Sequence, residues 1–309
     1  MTTAGAAPGR ARDGGAPVTD GVLVCDKPAG MTSHDVVARV RRLAGQRRVG
    51  HGGTLDPPAT GVLVVALGRA TRLLPYLPME PKRYLATVAF GAETDTLDAA
   101  GAVVASADAS ALDRAAVEQA LAGFVGAGEQ VPPMVSAVKV DGERLYAKAR
   151  RGETVERAAR PITVHALDLV GFVPGDRPLA TVEVACSGGT YVRALAADLG
   201  RALGCLAHLA ALRRTAVGRF TEQAAHPLDR LESLAATGEL ATAVLDPAAA
   251  MAPAGVRSVS DEEAVALATG RTIAPTGLDA PVAAVAPDGR LVAVIQDGSG
   301  RARPKVVLA

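Results

Sequence analysis

The alternation of apolar and polar residues along the chain predicts both strands and helices. Short apolar runs bounded by glycine or proline, as within 21–30 and 62–68, are typical of buried strands. Residues 31–45 and 113–126 instead repeat their apolar side chains every three to four positions, as amphipathic helices do. Because the two kinds of element do not alternate regularly, the pattern favours the α+β class.

Local signals predict where some elements begin. Thr32 or Ser33 is suited to cap the first helix, since a short polar side chain can accept from the first free backbone N–H groups. For the same reason Thr190 is expected to cap the helix that follows the tight turn 187–189. An Asp-Gly pair at 288–289 is suited to a hairpin turn near the C terminus.

Composition shifts divide the 309-residue chain, which is long enough to bury a sizeable core. Residues 1–20 lack the apolar segment of a signal peptide and are expected to be a disordered tail. The main domain is expected at 21–230, with a mobile excursion at about 130–155 that is rich in proline and charge. Residues 231–254 predict an alanine-rich helical connector, and residues 255–309 a small β-rich module.

Several functional classes are disfavoured. The three cysteines and five histidines show no disulfide framework and no metal-ligand spacing, which indicates a reduced cytoplasmic protein without a structural metal. No apolar run reaches the length of a membrane span. Neither a phosphate-binding loop nor a dinucleotide fingerprint is present, so we expect no cofactor.

Charge is segregated although the net charge is only +1. Residues 39–51 contain five arginines and no acid, and residues 193–219 contain five arginines and one acid. A solvated helix face would explain either segment alone. Together they favour a basic surface that could bind a polyanion such as RNA.

The stretch GHGGTLDPPATG at 50–61 surrounds one carboxylate, Asp56, with glycines and prolines. Pro57 keeps Asp56 away from helical geometry, and the glycines allow tight turns before it. An Asp before proline is usually a turn residue, but this density of turn-forming residues suggests a rigid loop that presents Asp56.

Four ordered motifs make the chain resemble the bacterial tRNA pseudouridine synthase family TruB. They are DKPAGMTSHD at 26–35, GHGGTLDPPATG at 50–61, KRYLATVAFGAETDTLDAAG at 82–101 and CSGGTYVRALAADLG at 186–200. The resemblance covers Gly21 to about Phe220 and implies a mixed, largely antiparallel sheet with flanking helices. The C-terminal module is more weakly similar to a PUA RNA-binding domain. The implied reaction converts uridine 55 of the tRNA T loop to pseudouridine.

The resemblance also implies roles for individual residues. Asp56 corresponds to the catalytic aspartate, Arg193 to the arginine paired with it, and Tyr84 to the aromatic residue that stacks on the base and assists proton removal. Residues 130–152 correspond to a thumb that closes over the RNA. The implied or expected RNA and pocket contacts are His51, Lys27, Tyr191, Leu212, Arg47, Arg48, Lys139 and Arg150.

This chemistry suits a carboxylate with a cationic partner, since pseudouridine formation exchanges a C–N bond for a C–C bond without oxidation or hydrolysis. The expected partner is the T arm of tRNA, with no membrane, no required protein partner and a monomeric enzyme. A guide-RNA-dependent pseudouridine synthase is the nearest alternative. A non-enzymatic tRNA-folding protein is another, and a retaining glycosidase would need a second carboxylate, such as Asp26, Asp95 or Asp98.

Overall fold

The structure is a computed structural model that describes residues 19–134, 139–140, 143–144, 151, 153 and 155–308. Most of the predicted tail and of the predicted thumb lies outside the described residues, as do Arg150 and the side chain of Lys139. Within the described part, the helices are α1 (Ser33–Leu43), α2 (Arg114–Ala122), α3 (Val192–Ala202), α4 (Leu228–Ala236), α5 (Pro247–Met251) and α6 (Asp261–Ala268).

Strands make up most of the remaining regular structure. They are β1 (Gly21–Lys27), β2 (Val49–Gly52), β3 (Thr60–Leu67), β4 (Lys82–Phe90), β5 (Ala92–Thr94), β6 (Val103–Ser106), β7 (Gly126–Gln130), β8 (Lys139–Val140), β9 (Glu143–Arg144), β10 (Arg160–Val173), β11 (Leu179–Cys186), β12 (Ala207–Val217), β13 (Phe220–Thr221), β14 (His226–Pro227), β15 (Val244–Leu245), β16 (Val256–Ser258), β17 (Val282–Val285), β18 (Leu291–Gly298) and β19 (Arg301–Val307).

The main sheet runs in the order β14-β1-β3-β12-β4-β11-β10-β7, with β2, β13 and β15 paired at its sides. All its pairings are antiparallel except β1 with β14 and β3 with β12. This confirms the predicted α+β class with a mixed, largely antiparallel sheet. The two parallel pairs bring the ends of distant segments together, and β3 meets β12 directly after the Asp56 loop.

Strands β1 and β3 are buried on both faces, which explains their uninterrupted apolar sequences. One face packs against α1 and α4 in a cluster that includes Leu63, Val36 and Leu231. The other face packs against the C-terminal sheet, β16-β17-β18-β19, through Val64 and Val294. The C-terminal sheet therefore covers a surface of the main sheet.

One of the two predicted helix caps is confirmed, since Thr32 is the N-cap of α1 in a capping box with Asp35. The amphipathic helix predicted at 113–126 is present as α2 with Val117 and Leu121 buried, but it ends at Ala122. The prediction for α3 is wrong, because its N-cap is Tyr191 rather than Thr190 and no side chain of its own caps it.

The segment 231–254 is also not simply a helical connector. Helix α4 begins before it at Leu228, and β15 within it pairs antiparallel with β1. The segment is therefore partly built into the main sheet. Among the described residues, no helix combines the length and apolar character needed to cross a bilayer.

Candidate active site

The loop that carries Asp56 is fixed by hydrogen bonds from the elements beneath it. The buried Lys27 ammonium at the end of β1 donates to the Pro57 carbonyl at 3.1 Å and to the Ala59 carbonyl at 2.6 Å. Ser33, at the start of α1, accepts from the Leu55 N–H at 2.9 Å and donates to the Leu55 carbonyl at 3.2 Å. The backbone on both sides of Asp56 is therefore held in place.

Glycine is required at the end of this loop. Gly61 has a φ of +98°, and a Cβ atom there would collide with the carbonyl oxygen of Arg214 on β12. The close approach of β3 to β12 thus depends on Gly61. This close approach joins the end of the loop to β12, the strand that carries Leu212 and Arg214.

Asp56 forms an ion pair with Arg193, as the sequence motifs predict. Arg193 Nε lies 3.0 Å from Asp56 Oδ2, and the arginine side chain is only 4 % exposed while that of Asp56 is 39 % exposed. The carboxylate can therefore meet a substrate from solvent, whereas its cation is enclosed by protein.

A second carboxylate shares the arginine. Arg193 Nη1 lies 3.4 Å from Asp98 Oδ2 and donates to the Thr96 carbonyl at 3.0 Å. Asp98 is itself held by the Thr96 hydroxyl at 2.7 Å and by the Ala100 N–H at 3.0 Å. The sequence suggests Asp98 only as a possible glycosidase carboxylate; the structure makes it an orienting group for Arg193.

Neighbouring groups act in opposite directions on the pKa of Asp56. Burial raises the pKa of Asp56 above its usual value, Arg193 opposes this, and the nearby Asp98 charge raises it further. Arg193 therefore supplies the charge that favours the ionised form of a partly enclosed carboxylate. An ionised carboxylate in such a site can act as a nucleophile or as a base.

Asp56, Arg193 and Asp98 border one cavity of about 100 Å³. Its other walls come from the loop, from the segment between β5 and β6 and from β12, and they are mainly apolar: Pro58, Ala59, Ala99, Leu209, Ala210, Ala211 and Leu212. Leu212, predicted as a pocket residue, is therefore part of this cavity wall. A small apolar cavity with one carboxylate and one cation at its edge is suited to a planar, uncharged ring.

Tyr84 lies next to the loop, in the same apolar cluster as Leu55 and Ala59, and is 7 % exposed. Its pKa is raised by burial, while the charge of Arg214 and a side-chain hydrogen bond with it lower the pKa. Arg214 is 1 % exposed and donates to the carbonyls of Val62 at 2.7 Å and Gly53 at 2.9 Å. Arg214 is not among the residues predicted from the sequence, since a second arginine on a strand gives no distinguishing signal.

The family resemblance implies that Lys27 lines the pocket, but the structure places its side chain beneath the Asp56 loop. Its side chain is fully buried, and its ammonium meets three carbonyls, including that of Pro28 at 2.9 Å. Burial lowers the pKa of Lys27 to about 8, with Asp56 opposing the shift. At neutral pH the group is thus a cationic support for the loop rather than a group that faces a ligand.

Tyr191 precedes α3 and is held from outside that helix. Gln130, at the end of β7, accepts from the Tyr191 N–H at 2.7 Å and donates to the Tyr191 carbonyl at 3.1 Å. Gln130 is buried and thereby fixes the start of the helix from which Arg193 extends. This contact spans 61 positions and has no local sequence signal.

The remaining predicted contacts lie away from the cavity. His51 on β2 packs edge-on against His34, with ring centroids 5.3 Å apart, and burial lowers its pKa. Arg47 and Arg48 are exposed in the connection between α1 and β2. Within the described ranges, no group of three His, Cys, Asp or Glu side chains is arranged to hold a metal ion.

Comparison with known families assigns nearly the whole chain. Residues 41–192 match the TruB family pseudouridylate synthase N-terminal domain. Residues 193–251 match the tRNA pseudouridylate synthase B C-terminal domain, and residues 255–309 match the C-terminal region of tRNA pseudouridine synthase II. The chain belongs to the TruB family of pseudouridine synthases. Membership confirms that it is an isomerase.

Named relatives and solved structures agree with this assignment. The tRNA pseudouridine synthase B of Thermobifida fusca is 50 % identical over 94 % of this chain and 99 % of its own length. That of an Arthrobacter species is 47 % identical over 94 % of this chain and 96 % of its own. An H/ACA ribonucleoprotein bound to a substrate RNA matches with a TM-score of 0.70 and 25 % identity, over 94 % of this chain and 85 % of that one. A Cbf5-Nop10-Gar1 complex matches with a TM-score of 0.69 and 27 % identity, over 93 % and 84 %.

Proposed function

We propose that this TruB-family enzyme converts uridine to pseudouridine in tRNA, at position 55 of the T loop, with Asp56 as the catalytic carboxylate. The observation that carries the proposal is the Asp56–Arg193 ion pair on a fixed loop at the edge of an apolar cavity. The names and near-complete overlap of the relatives at 47–50 % identity support tRNA as the substrate.

The reaction breaks the N1–C1′ bond and forms a C5–C1′ bond. The uridine must first leave the RNA stack, at a cost of a few kcal/mol that pocket contacts offset. Asp56 then acts as nucleophile or base, N1 gains a proton, and C5 loses its proton. No electron is gained or lost, so Arg193 and the carboxylate supply the required charge without a redox partner.

The ionised form of Asp56 is the active one, and Arg193 is the neighbour that favours it most. Arg193 is enclosed and oriented by Asp98 and by the Thr96 carbonyl, so its charge is fixed before a substrate arrives. Fixed charges that need no reorganisation during the reaction are the most effective kind. Leu212 and Ala59 supply an apolar wall for the flipped base.

Tyr84 is proposed as the aromatic partner of the base. Tyr84 belongs to the same buried apolar cluster as Leu55 and the cavity-wall residue Ala59, and it is only 7 % exposed in the free protein. Stacking therefore requires that entry of the base uncover the ring. The proposal accordingly predicts that Tyr84 becomes more accessible, and changes its spectroscopic environment, when tRNA binds.

An independent experiment tests the function. Purified protein is incubated with an unmodified tRNA transcript, with no guide RNA and no added cofactor, and pseudouridine is mapped along the RNA. We expect one modified position, uridine 55, and no product from a transcript with cytidine there. A requirement for a guide RNA would favour the guided class represented by the H/ACA structures, and tRNA binding without any product would favour a folding protein.

A further inference from the structure

One fully enclosed arginine near the active site, Arg214, has no role in the mechanism above. Arg214 is the largest side chain among those fully enclosed by the described protein, and it lies between the Asp56 loop and Tyr84. Its neighbour on β12, Arg213, faces a different environment and pairs with Asp26 and Glu222. Two adjacent arginines on one strand thus provide a matched pair for experiment.

Arg214 satisfies three backbone acceptors in the loop region. It donates to the carbonyls of Gly53 at 2.9 Å and Thr54 at 3.4 Å, which precede Asp56, and to Val62 at 2.7 Å, which follows it. The planar guanidinium can serve these acceptors at once because it presents several N–H donors in a fixed fork. A lysine ammonium at the same position has fewer donors and no such geometry.

The fourth contact is to Tyr84, and it connects the loop to the residue proposed to meet the base. Arg214 on β12 and Tyr84 on β4 are direct cross-strand partners, so their side chains lie on the same face of the sheet. The charge and hydrogen bonding of Arg214 lower the pKa of the Tyr84 hydroxyl, against the effect of burial. The other groups that face this hydroxyl electrostatically are Cys186 on β11 and Asp56. Of the three, Arg214 alone stabilises the phenolate, which is the form that can accept a proton.

We propose that Arg214 is a positioning residue that holds the Tyr84 hydroxyl and the backbone before Asp56 in one fixed arrangement. The inference rests on the proposed function, since it assigns Arg214 to the same reaction. Arg214 does not line the cavity, so it acts through Tyr84 and the loop rather than by contact with substrate. It goes beyond the Asp56–Arg193 pair by making a second, buried arginine necessary for the geometry of the site.

The test is a comparison of Arg214→Lys with Arg213→Lys, which makes the same change one residue away. We expect Arg214→Lys to lower kcat at least about tenfold with little change in KM for tRNA, because misplaced catalytic groups affect the chemical step. Arg213→Lys should leave kcat within about twofold, although it weakens the partly buried ion pairs with Asp26 and Glu222. Equal effects of both substitutions on kcat would overturn the inference.

A second measurement reads Tyr84 without catalysis. The protein has four tyrosines and no tryptophan, so tyrosine labelled with ¹³C at Cζ gives few resonances, and Tyr84→Phe identifies one of them. We expect Arg214→Lys to move the resonance of Tyr84 and to shift its titration to higher pH, while the other tyrosines and the Arg213→Lys protein are unchanged. An unmoved Tyr84 resonance in a folded Arg214→Lys protein would refute the contact.

The two readouts separate the inference from the function. If wild-type protein forms no pseudouridine, the proposed function fails while the resonance still tests the Arg214–Tyr84 contact. If Arg214→Lys does not fold, Arg214→Gln takes its place. Its effect on kcat is then measured both in the wild-type protein and in the Tyr84→Phe variant. The fall in kcat caused by the Arg214 variant should shrink in the Tyr84→Phe variant, because interacting residues are not additive. Full additivity would contradict action through Tyr84.

Discussion

At the scale of single residues, the site depends on how the charges around Arg193 are shared. Asp56 and Asp98 both bind this buried arginine, but only Asp56 borders the cavity with an appreciably exposed carboxylate. The negative charge of Asp98 raises the pKa of the Asp56 carboxyl group. Asp98 therefore orients Arg193 while it makes Asp56 easier to protonate.

This arrangement predicts a directional change in the pH dependence. Burial and Asp98 raise the pKa of Asp56, so activity that needs the carboxylate is lost as pH falls through this raised value. Asp98→Asn removes one cause of the increase and should move the acid limb of kcat/KM to lower pH. The limb is measured from single-turnover rates, with Asp95→Asn as control; an unchanged or raised limb would show that Asp98 does not act on Asp56.

At the scale of elements, the start of helix α3 is fixed by a residue on a strand that is distant in sequence. Gln130 on β7 makes two hydrogen bonds to the Tyr191 backbone, in the place where a helix usually has its own capping side chain. Arg193 lies two positions further on. The position of Arg193 thus depends on the packing of β7 beside β10.

Gln130→Ala should accordingly weaken both stability and catalysis. The removal of two buried hydrogen bonds costs about 2 kcal/mol in the free energy of unfolding, and kcat should fall at least about tenfold as Arg193 loses its fixed origin. Urea unfolding and single-turnover kinetics measure the two effects. Glu118→Ala, which breaks an exposed ion pair with Arg114 on α2, should change stability by about 0.5 kcal/mol or less and leave kcat unaltered. A stability loss in Gln130→Ala without a fall in kcat would refute the link to Arg193.

Elements could be predicted from the sequence where their apolar spacing, caps and turns are all encoded by neighbouring residues. Helix α1 follows from its apolar spacing and its capping box, and β1 and β3 follow from apolar runs between turn residues. The start of α3 could not be predicted because its cap comes from Gln130, and β15 could not because two residues carry no periodicity.

The candidate site divides in the same way. The ordered motifs brought forward Asp56 and Arg193 together, and the structure joins them in an ion pair. The motif places Lys27 close to the pocket in sequence terms, but it does not show which way the side chain points. That direction is set by three backbone carbonyls that come together only in the folded protein. The roles of Arg214 and Asp98 could not be predicted, because their contacts form only when β12 and the segment after β5 pack against the Asp56 loop.

At the scale of the whole molecule, the C-terminal sheet is part of the same hydrophobic core as the main sheet. Val64 of β3 and Val294 of β18 belong to one buried cluster, and Arg72 donates to the Val307 carbonyl at 2.7 Å. We therefore expect one cooperative calorimetric transition for the full chain, and a lower midpoint but still a single transition for Arg72→Ala. Two well-separated transitions would contradict a shared core.

The exposed arginines between α1 and β2 form part of the predicted RNA-binding surface. Arg47 and Arg48 are exposed together between α1 and β2, where they can reach phosphates without disturbing buried side chains. Replacing both with alanine should weaken tRNA binding and reduce the slope of log K against log salt by about 1 for each phosphate that is no longer neutralised. Arg177→Ala, in the exposed connection between β10 and β11, is the control for a change of charge alone. An equal slope in the double variant and wild type would remove this segment from the interface.

Asp56, held beside Arg193, is the group proposed to perform the isomerisation. The most direct test of this role is the release of tritium from tRNA labelled at C5 of uridine, because C5 loses its hydrogen only when the new C–C bond is completed. Asp56→Asn keeps the shape but cannot act as nucleophile or base, and Arg193 retains Asp98 and the Thr96 carbonyl, so the fold and tRNA binding should persist. We expect tritium release from wild type and none above background from Asp56→Asn at equal tRNA occupancy. Release from Asp56→Asn at a rate near that of wild type would contradict the account.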